Sequence, residues 1–142
     1  MKPRTVGLGV YLKLYASCLA AFLVVDFVWL ILMSPRFYEP RIGHLMAAEV
    51  TWLPAIVFYL LFVAGLVVLV VAPGLAANRL GSTLARAALL GVVAYGTYDL
   101  TNLATLEGWP LSLTVVDMVW GAALSVIVAS VGLAVGRRLA RR

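Results

Sequence analysis

Four long apolar runs are the feature that most constrains how this sequence can fold. Each run is close to or above the roughly 20 residues that a helix needs to cross the hydrocarbon core of a bilayer. Hydrophobic residues make up 64% of the chain and charged residues only 12%, which leaves too little polar surface to cover a water-soluble globule. We therefore expect an integral membrane protein with spans at about residues 11–33, 52–73, 84–106 and 110–135.

The spans are predicted to be helices. A helix satisfies its own backbone polar groups in hydrocarbon, and the runs lack the period-two alternation that is typical of a membrane β-barrel. The fold class that follows is an all-α membrane protein, a four-transmembrane-helix bundle that forms a single integral membrane domain over residues 1–142. Residues 34–51 mix charged and apolar side chains, so we expect a short interfacial segment after the first span.

The distribution of Lys and Arg predicts the orientation. Nine of the eleven basic residues flank one side of the spans and two flank the other, and basic residues favour the cytoplasmic side. The expected location is the bacterial inner (cytoplasmic) membrane, crossed several times, with both termini cytoplasmic. The nine are Lys2, Arg4, Lys13, Arg79, Arg86, Arg137, Arg138, Arg141 and Arg142, and the two are Arg36 and Arg41.

The net charge of +5 is explained by basic residues at the ends of the spans, where anionic lipid headgroups lie. Membrane lipids, and no nucleic acid, are therefore the expected partners, and a homo-oligomer or a larger membrane complex stays open. The single cysteine, Cys18, excludes a disulfide framework. Phosphate-binding, nucleophile-elbow and zinc motifs are missing from the sequence, so no catalytic residue, metal or cofactor is assigned.

One aspartate lies inside each of three spans at a similar predicted depth. Asp26, Asp99 and Asp117 each stand seven residues from the outward end of their apolar run, which is ~10 Å along a helix. A charged side chain costs ~2.5 to 3.5 kcal/mol at the centre of a membrane helix. The three carboxyl groups are therefore expected to face the interior of the bundle in one layer.

Polar and aromatic residues share the helix faces of these aspartates. Tyr95, Asp99 and Asn102 recur at helical spacing in the third span, and a tryptophan follows both Asp26 and Asp117 by three positions. His44 and Glu49 in the outer connection are added as candidates, although both also suit a solvated interface. The predicted ligand-binding residues are Asp26, Trp29, His44, Glu49, Tyr95, Tyr98, Asp99, Asn102, Asp117 and Trp120.

Three carboxylates in a low-dielectric layer cannot all stay ionised without compensation. A proton, a metal ion or other cation, or a basic group from the outer connection could supply it, and Arg36, Arg41 and His44 are the basic residues in range. Interhelical hydrogen bonding that serves packing alone is the alternative explanation for the three aspartates.

The chain resembles the domain of unknown function 2177 family, which comprises small four-span bacterial membrane proteins. The resemblance covers nearly the whole chain and implies the four-span architecture and the same polar positions, but no substrate. It rests on these strings: Asp26-Phe-Val-Trp29, Phe37-Tyr38, Gly43-His44-Leu45, Trp52-Leu-Pro54-Ala55, Tyr95-Gly-Thr-Tyr98-Asp99-Leu-Thr101-Asn102-Leu-Ala-Thr105, Gly108-Trp109-Pro110, Asp117 and Trp120-Gly121.

Three functions remain open at this point. The first is a protein that binds or transports a cation, proton or small ligand at the aspartate layer. The second is a membrane enzyme that acts on a lipid or isoprenoid-like substrate, with Asp99 or Asp117 as general acid or base. The third is a non-catalytic subunit of a larger membrane complex, in which the aspartates serve assembly.

Overall fold

The computed structural model describes residues 7–141, which form four long helices and contain no β-strand. All four helices are long and apolar enough to cross a membrane, so the predicted all-α class with four such helices is confirmed. Each of them runs several residues beyond its predicted span at one end or both. The helices are α1 (Leu8–Met33), α2 (Trp52–Ala77), α3 (Leu80–Thr105) and α4 (Leu111–Ala140).

The helix α2 contains a π turn at Val67–Val71, between α-helical parts at Trp52–Leu66 and Ala72–Ala77. Pro73 explains this irregularity, because proline has no N–H to donate and its ring crowds the carbonyl four residues earlier. The helix continues past the proline and ends at Asn78, which adopts the left-handed conformation with φ 49°. The connection to α3 is therefore a tight turn.

The segment 34–51 begins as a direct continuation of α1. It forms a π turn at Ser34–Tyr38, a short α-helical turn at Glu39–Ile42 and a 3-10 turn at Gly43–Leu45, and residues 46–51 have no regular structure. The predicted interfacial segment is thus largely a helical extension of the first span. Pro35 and Pro40 each remove a backbone donor here, which accounts for the departure from α geometry.

The helix α4 packs against α3 and α1 along much of their lengths. Small residues bring α3 and α4 close together: a Cβ atom at Gly91 would collide with the backbone of Gly121, and a Cβ at Gly121 would lie 2.5 Å from the Tyr95 ring. Close backbone approach of this kind is how membrane helices gain contact energy, because lipid offers no hydrophobic drive for association.

The core and the surface are both apolar. Leu14, Phe22, Leu66 and Leu124 are fully buried, whereas many equally large side chains lie on the outside, with Leu61 69% exposed. An exposed apolar surface of this extent would favour association in water. It suits contact with lipid chains.

Replacing Gly91 with alanine should destabilise the protein, because the new methyl group meets the Gly121 backbone rather than a flexible side chain. We expect a loss of about 1 to 3 kcal/mol, typical of overpacking, measured as earlier thermal loss of the helical and monodisperse state in detergent. Gly81→Ala is the matched control, since Gly81 has open space around its Cα. Equal stability of both variants would contradict the close α3–α4 contact.

Candidate functional site

A cavity of about 500 Å³ opens among the four helices, next to the 34–51 segment and the start of α4. Its volume lies within the range typical of small-molecule sites. Two carboxylates, from Asp26 and Asp117, reach the cavity wall. Most of the rest of the wall is aromatic, and the aromatic lining residues are Trp29, Tyr38, Phe58, Tyr59, Tyr95, Tyr98, Trp109 and Trp120.

Asp26 is held by side chains of two other helices. Its carboxylate is buried and accepts a hydrogen bond from the Trp120 indole N–H at 3.2 Å. The Tyr59 hydroxyl from α2 lies within hydrogen-bonding reach of the same carboxylate. A carboxyl group from α1 is thereby connected to α4 and α2 at one level of the bundle.

Asp117 is held by the extension of α1. The Tyr38 hydroxyl donates a hydrogen bond to Asp117 Oδ1, and the Tyr38 oxygen accepts one from the Trp29 indole N–H at 2.9 Å. The π turn at Ser34–Tyr38 positions this tyrosine. Because a π turn adds a residue to the helical register, it changes the direction in which the following side chains point.

The two Asp-x-x-Trp sequences of α1 and α4 face each other and interact crosswise. The rings of Trp29 and Trp120 stack with their centroids 4.0 Å apart and their planes 7° from parallel. Trp120 donates a hydrogen bond to Asp26 directly. Trp29 donates to the Tyr38 oxygen, and the Tyr38 hydroxyl donates to Asp117. Each motif thus supplies the tryptophan that supports the aspartate of the other.

Asp99 lies behind Asp117 and is fully enclosed, with 0% of its surface exposed. Neither of its carboxyl oxygens has a hydrogen-bond donor among the described residues, and its carboxyl lies within hydrogen-bonding reach of that of Asp117. A hydrogen bond between the two carboxyl groups would require a proton on one of them, because ionised carboxylates are acceptors alone.

The turn between α3 and α4 helps to hold Asp99 next to Asp117. The Trp109 indole N–H donates to Thr114 Oγ1 at 3.1 Å, and Thr114 Oγ1 in turn donates to the backbone carbonyl of Asp99 at 3.5 Å. These contacts connect the start of α4 to the last turns of α3. Together with the Gly91–Gly121 approach, they place Asp99 and Asp117 side by side.

Most of the predicted site residues lie at the cavity and a few do not. Asp99 stands one layer behind the wall, and Asn102 lies beside the Tyr98 hydroxyl without lining the cavity. His44 and Glu49 are exposed and do not line it, although Met46, which lies between them in the chain, does. The predicted residues that line the cavity are Asp26, Trp29, Tyr95, Tyr98, Asp117 and Trp120.

Several lining residues were not predicted from the sequence. Tyr38 is the most informative of them, and its signal was present in the Phe37-Tyr38 string that the family resemblance rests on. Tyr59 was visible as the one tyrosine of the second span, and Trp109 as the residue before Pro110. None of these signals indicated which carboxylate each side chain would meet.

The basic residues of the 34–51 segment make contacts outside the cavity. The Arg41 guanidinium lies 3.9 Å from the centre of the Phe37 ring and donates to the Phe37 carbonyl at 3.0 Å, and Arg36 donates to the Leu32 carbonyl at 3.3 Å. No Lys, Arg or His lines the cavity within residues 7–141. In the same range, no three His, Cys, Asp or Glu side chains converge as metal ligands.

These features define a helical membrane protein with an aromatic cavity and a buried carboxyl pair near one end of its four helices. The family model described as "Predicted membrane protein (DUF2177)" matches residues 11–134, so the chain belongs to this family, and the resemblance noted from its sequence motifs is confirmed. Neither the curated proteins nor the solved structures include a match to the chain.

Replacing Tyr38 with phenylalanine should destabilise the site, because Trp29 loses its acceptor and Asp117 loses its donor. Leaving buried polar groups unpaired costs about 1 to 3 kcal/mol, so we expect a clearly lower melting temperature in detergent. Tyr11→Phe is the control, since the Tyr11 hydroxyl has no side-chain hydrogen bond to any residue from 7 to 141. Unchanged stability of Tyr38→Phe would argue against the Trp29–Tyr38–Asp117 chain.

Proposed function

We propose that this membrane protein binds a lipophilic organic cation in the aromatic cavity, with Asp26 and Asp117 as its counter-charges. The observation that carries the proposal is a cavity that combines two carboxylates with eight aromatic side chains and, in the described part of the chain, no basic residue. A buried negative charge needs a compensating positive one. A cationic ligand supplies that charge where the cavity wall supplies none.

The aromatic wall favours an organic cation over a bare metal ion. Aromatic faces attract an ammonium group by about 0.5 to 2 kcal/mol each, more when water is excluded. A hard metal ion instead prefers six or more oxygen ligands, whereas this wall presents mainly ring carbon. The apolar side chains of Leu30, Ile42 and Leu113 also line the cavity and suit the hydrocarbon part of such a ligand.

Benzyltrimethylammonium, titrated into the purified protein in nanodiscs, should bind and quench tryptophan fluorescence, because Trp29 and Trp120 line the cavity. Asp117→Asn and Asp26→Asn should each weaken binding by about 10-fold or more, as expected when a desolvated ion pair is lost. Glu107→Gln is the matched control, since Glu107 is an exposed carboxylate in the α3–α4 turn.

The neutral isostere neopentylbenzene separates charge recognition from simple partition into an apolar space. Weak binding of the isostere beside clear binding of the cation supports the proposal. Equal binding of both would show that the carboxylates are not counter-charges. Absence of binding by either, together with an altered lipid extract in cells that lack the protein, would favour the enzyme that acts on a lipid.

The proposed setting is a bacterial inner membrane with both termini cytoplasmic. Residues Gly7, Asn78, Arg137 and Arg141 line a single groove at the end of the molecule opposite the aromatic cavity. The start of α1, the α2–α3 turn and the end of α4 therefore share one end, which fits the side with more basic residues. Lys2, Arg4 and Arg142, which also belong to that side, lie outside the described residues.

Cysteine labelling checks this orientation. In a Cys18→Ser background, a membrane-impermeant maleimide added to intact spheroplasts should label Glu107→Cys and leave Arg79→Cys unlabelled until the membrane is opened, because the two turns lie on opposite sides. The reverse pattern would place the aromatic cavity near the cytoplasmic side. Equal labelling of both positions in closed cells would argue against a fixed orientation.

A further inference from the structure

We propose that Asp99 and Asp117 share one proton, and that binding of an organic cation in the cavity displaces it, so that the protein exchanges a proton for its ligand. This inference rests on the proposed function and adds the co-substrate, which is a proton. Asp99 would act as a positioning residue, since it reaches the cavity only through Asp117.

The environment of Asp99 does not suit a carboxyl group that serves packing alone. A carboxyl that served only as a packing contact would be expected to accept hydrogen bonds, because buried polar groups are nearly always paired. Asp99 is fully enclosed, its oxygens have no donor from the described residues, and its neighbour is another carboxyl. A proton held between Asp99 and Asp117 supplies the hydrogen bond that the Asp99 carboxyl otherwise lacks.

The groups around the pair do not provide a fixed positive charge. The titratable side chains from 7–141 that interact with the pair are acids and phenols. Charge at the site can therefore be adjusted only by protons or by an incoming cation. These side chains are Asp26 and Tyr38 from α1 and its extension, and Tyr95 and Tyr98 from α3. Tyr59 from α2 interacts with Asp26.

The geometry provides a route for the proton, and the exchange leaves the net charge of the site unchanged. The Asp117 carboxyl lies within hydrogen-bonding reach of Asp99 on one side and lines the cavity on the other, so the proton can leave through Asp117 into the cavity. Before exchange, the pair carries one negative charge. After exchange the hydrogen bond between the two carboxyl groups is lost and the pair carries two negative charges, and the cation adds one positive charge, so the net charge of this low-dielectric region is unchanged.

Calorimetry with a ligand that cannot itself carry a proton tests the exchange. Benzyltrimethylammonium is titrated at one pH in two buffers of different ionisation enthalpy, and the difference in heat gives the number of protons released. We expect about one proton per ligand bound for the wild-type protein. Because the proton competes with the cation, the affinity should fall as the pH is lowered.

Asp99→Asn provides the decisive variant. The amide can donate a hydrogen bond to Asp117 without an exchangeable acid proton, so the variant should still bind the cation, release no proton and lose most of the pH dependence. Glu107→Gln, which removes an exposed carboxylate, should behave as the wild type. If Asp99→Asn fails to fold, Asp117→Glu, which keeps the acid, should still release about one proton on binding, and a wild-type protein that releases none overturns the exchange.

The outcomes separate this inference from the proposed function. Binding by the wild type with no proton release would overturn the exchange and leave cation binding standing. Proton release that persists in a folded Asp99→Asn variant would also overturn it, because the proton would then come from another group. Failure of the wild type to bind the cation would remove both proposals.

Discussion

Two tryptophans support two buried carboxylates across the contact between α1 and α4, and the arrangement of the cavity depends on this interaction. An unpaired polar group in a lipid environment costs several kcal/mol, so each carboxylate must find donors within the protein. Trp120 supplies one to Asp26, and Tyr38, which itself accepts a hydrogen bond from Trp29, supplies the other to Asp117. The stacked rings then fix the spacing between the helices.

Proline and glycine provide the backbone geometry that this network requires. Pro35 lies within the π turn that carries Tyr38 towards α4, and Pro40 lies in the turn that follows it. Gly91 and Gly121 allow α3 and α4 to approach closely enough for Asp99 to meet Asp117. The proline-containing turn departs from regular helix geometry, and the two glycines lack the side chains that would keep the helices apart. In both cases a polar contact at one end of the bundle depends on backbone features elsewhere in the same helices.

The cavity combines negative charge with aromatic faces, and this combination limits its chemistry. A wall rich in ring carbon suits an organic cation better than a hydrated metal ion. In the proposed exchange, Asp99, which is enclosed behind the wall without a donor from the described residues, connects that charge to a proton through Asp117. The proposed recognition of charge and the proposed storage of a proton would thus fall on neighbouring residues of two packed helices.

The sequence by itself determined the four helices, the family and the burial of Asp26, Asp99 and Asp117, because apolar length and the cost of charge in lipid are local properties. Only the tertiary structure decided that Trp120 meets Asp26, that Tyr38 meets Asp117, and that His44 and Glu49 stay outside the cavity. Helical periodicity gives the depth and face of a residue but not the rotation of one helix against another. A π turn further shifts every side chain that follows it, and the sequence pattern did not reveal that shift.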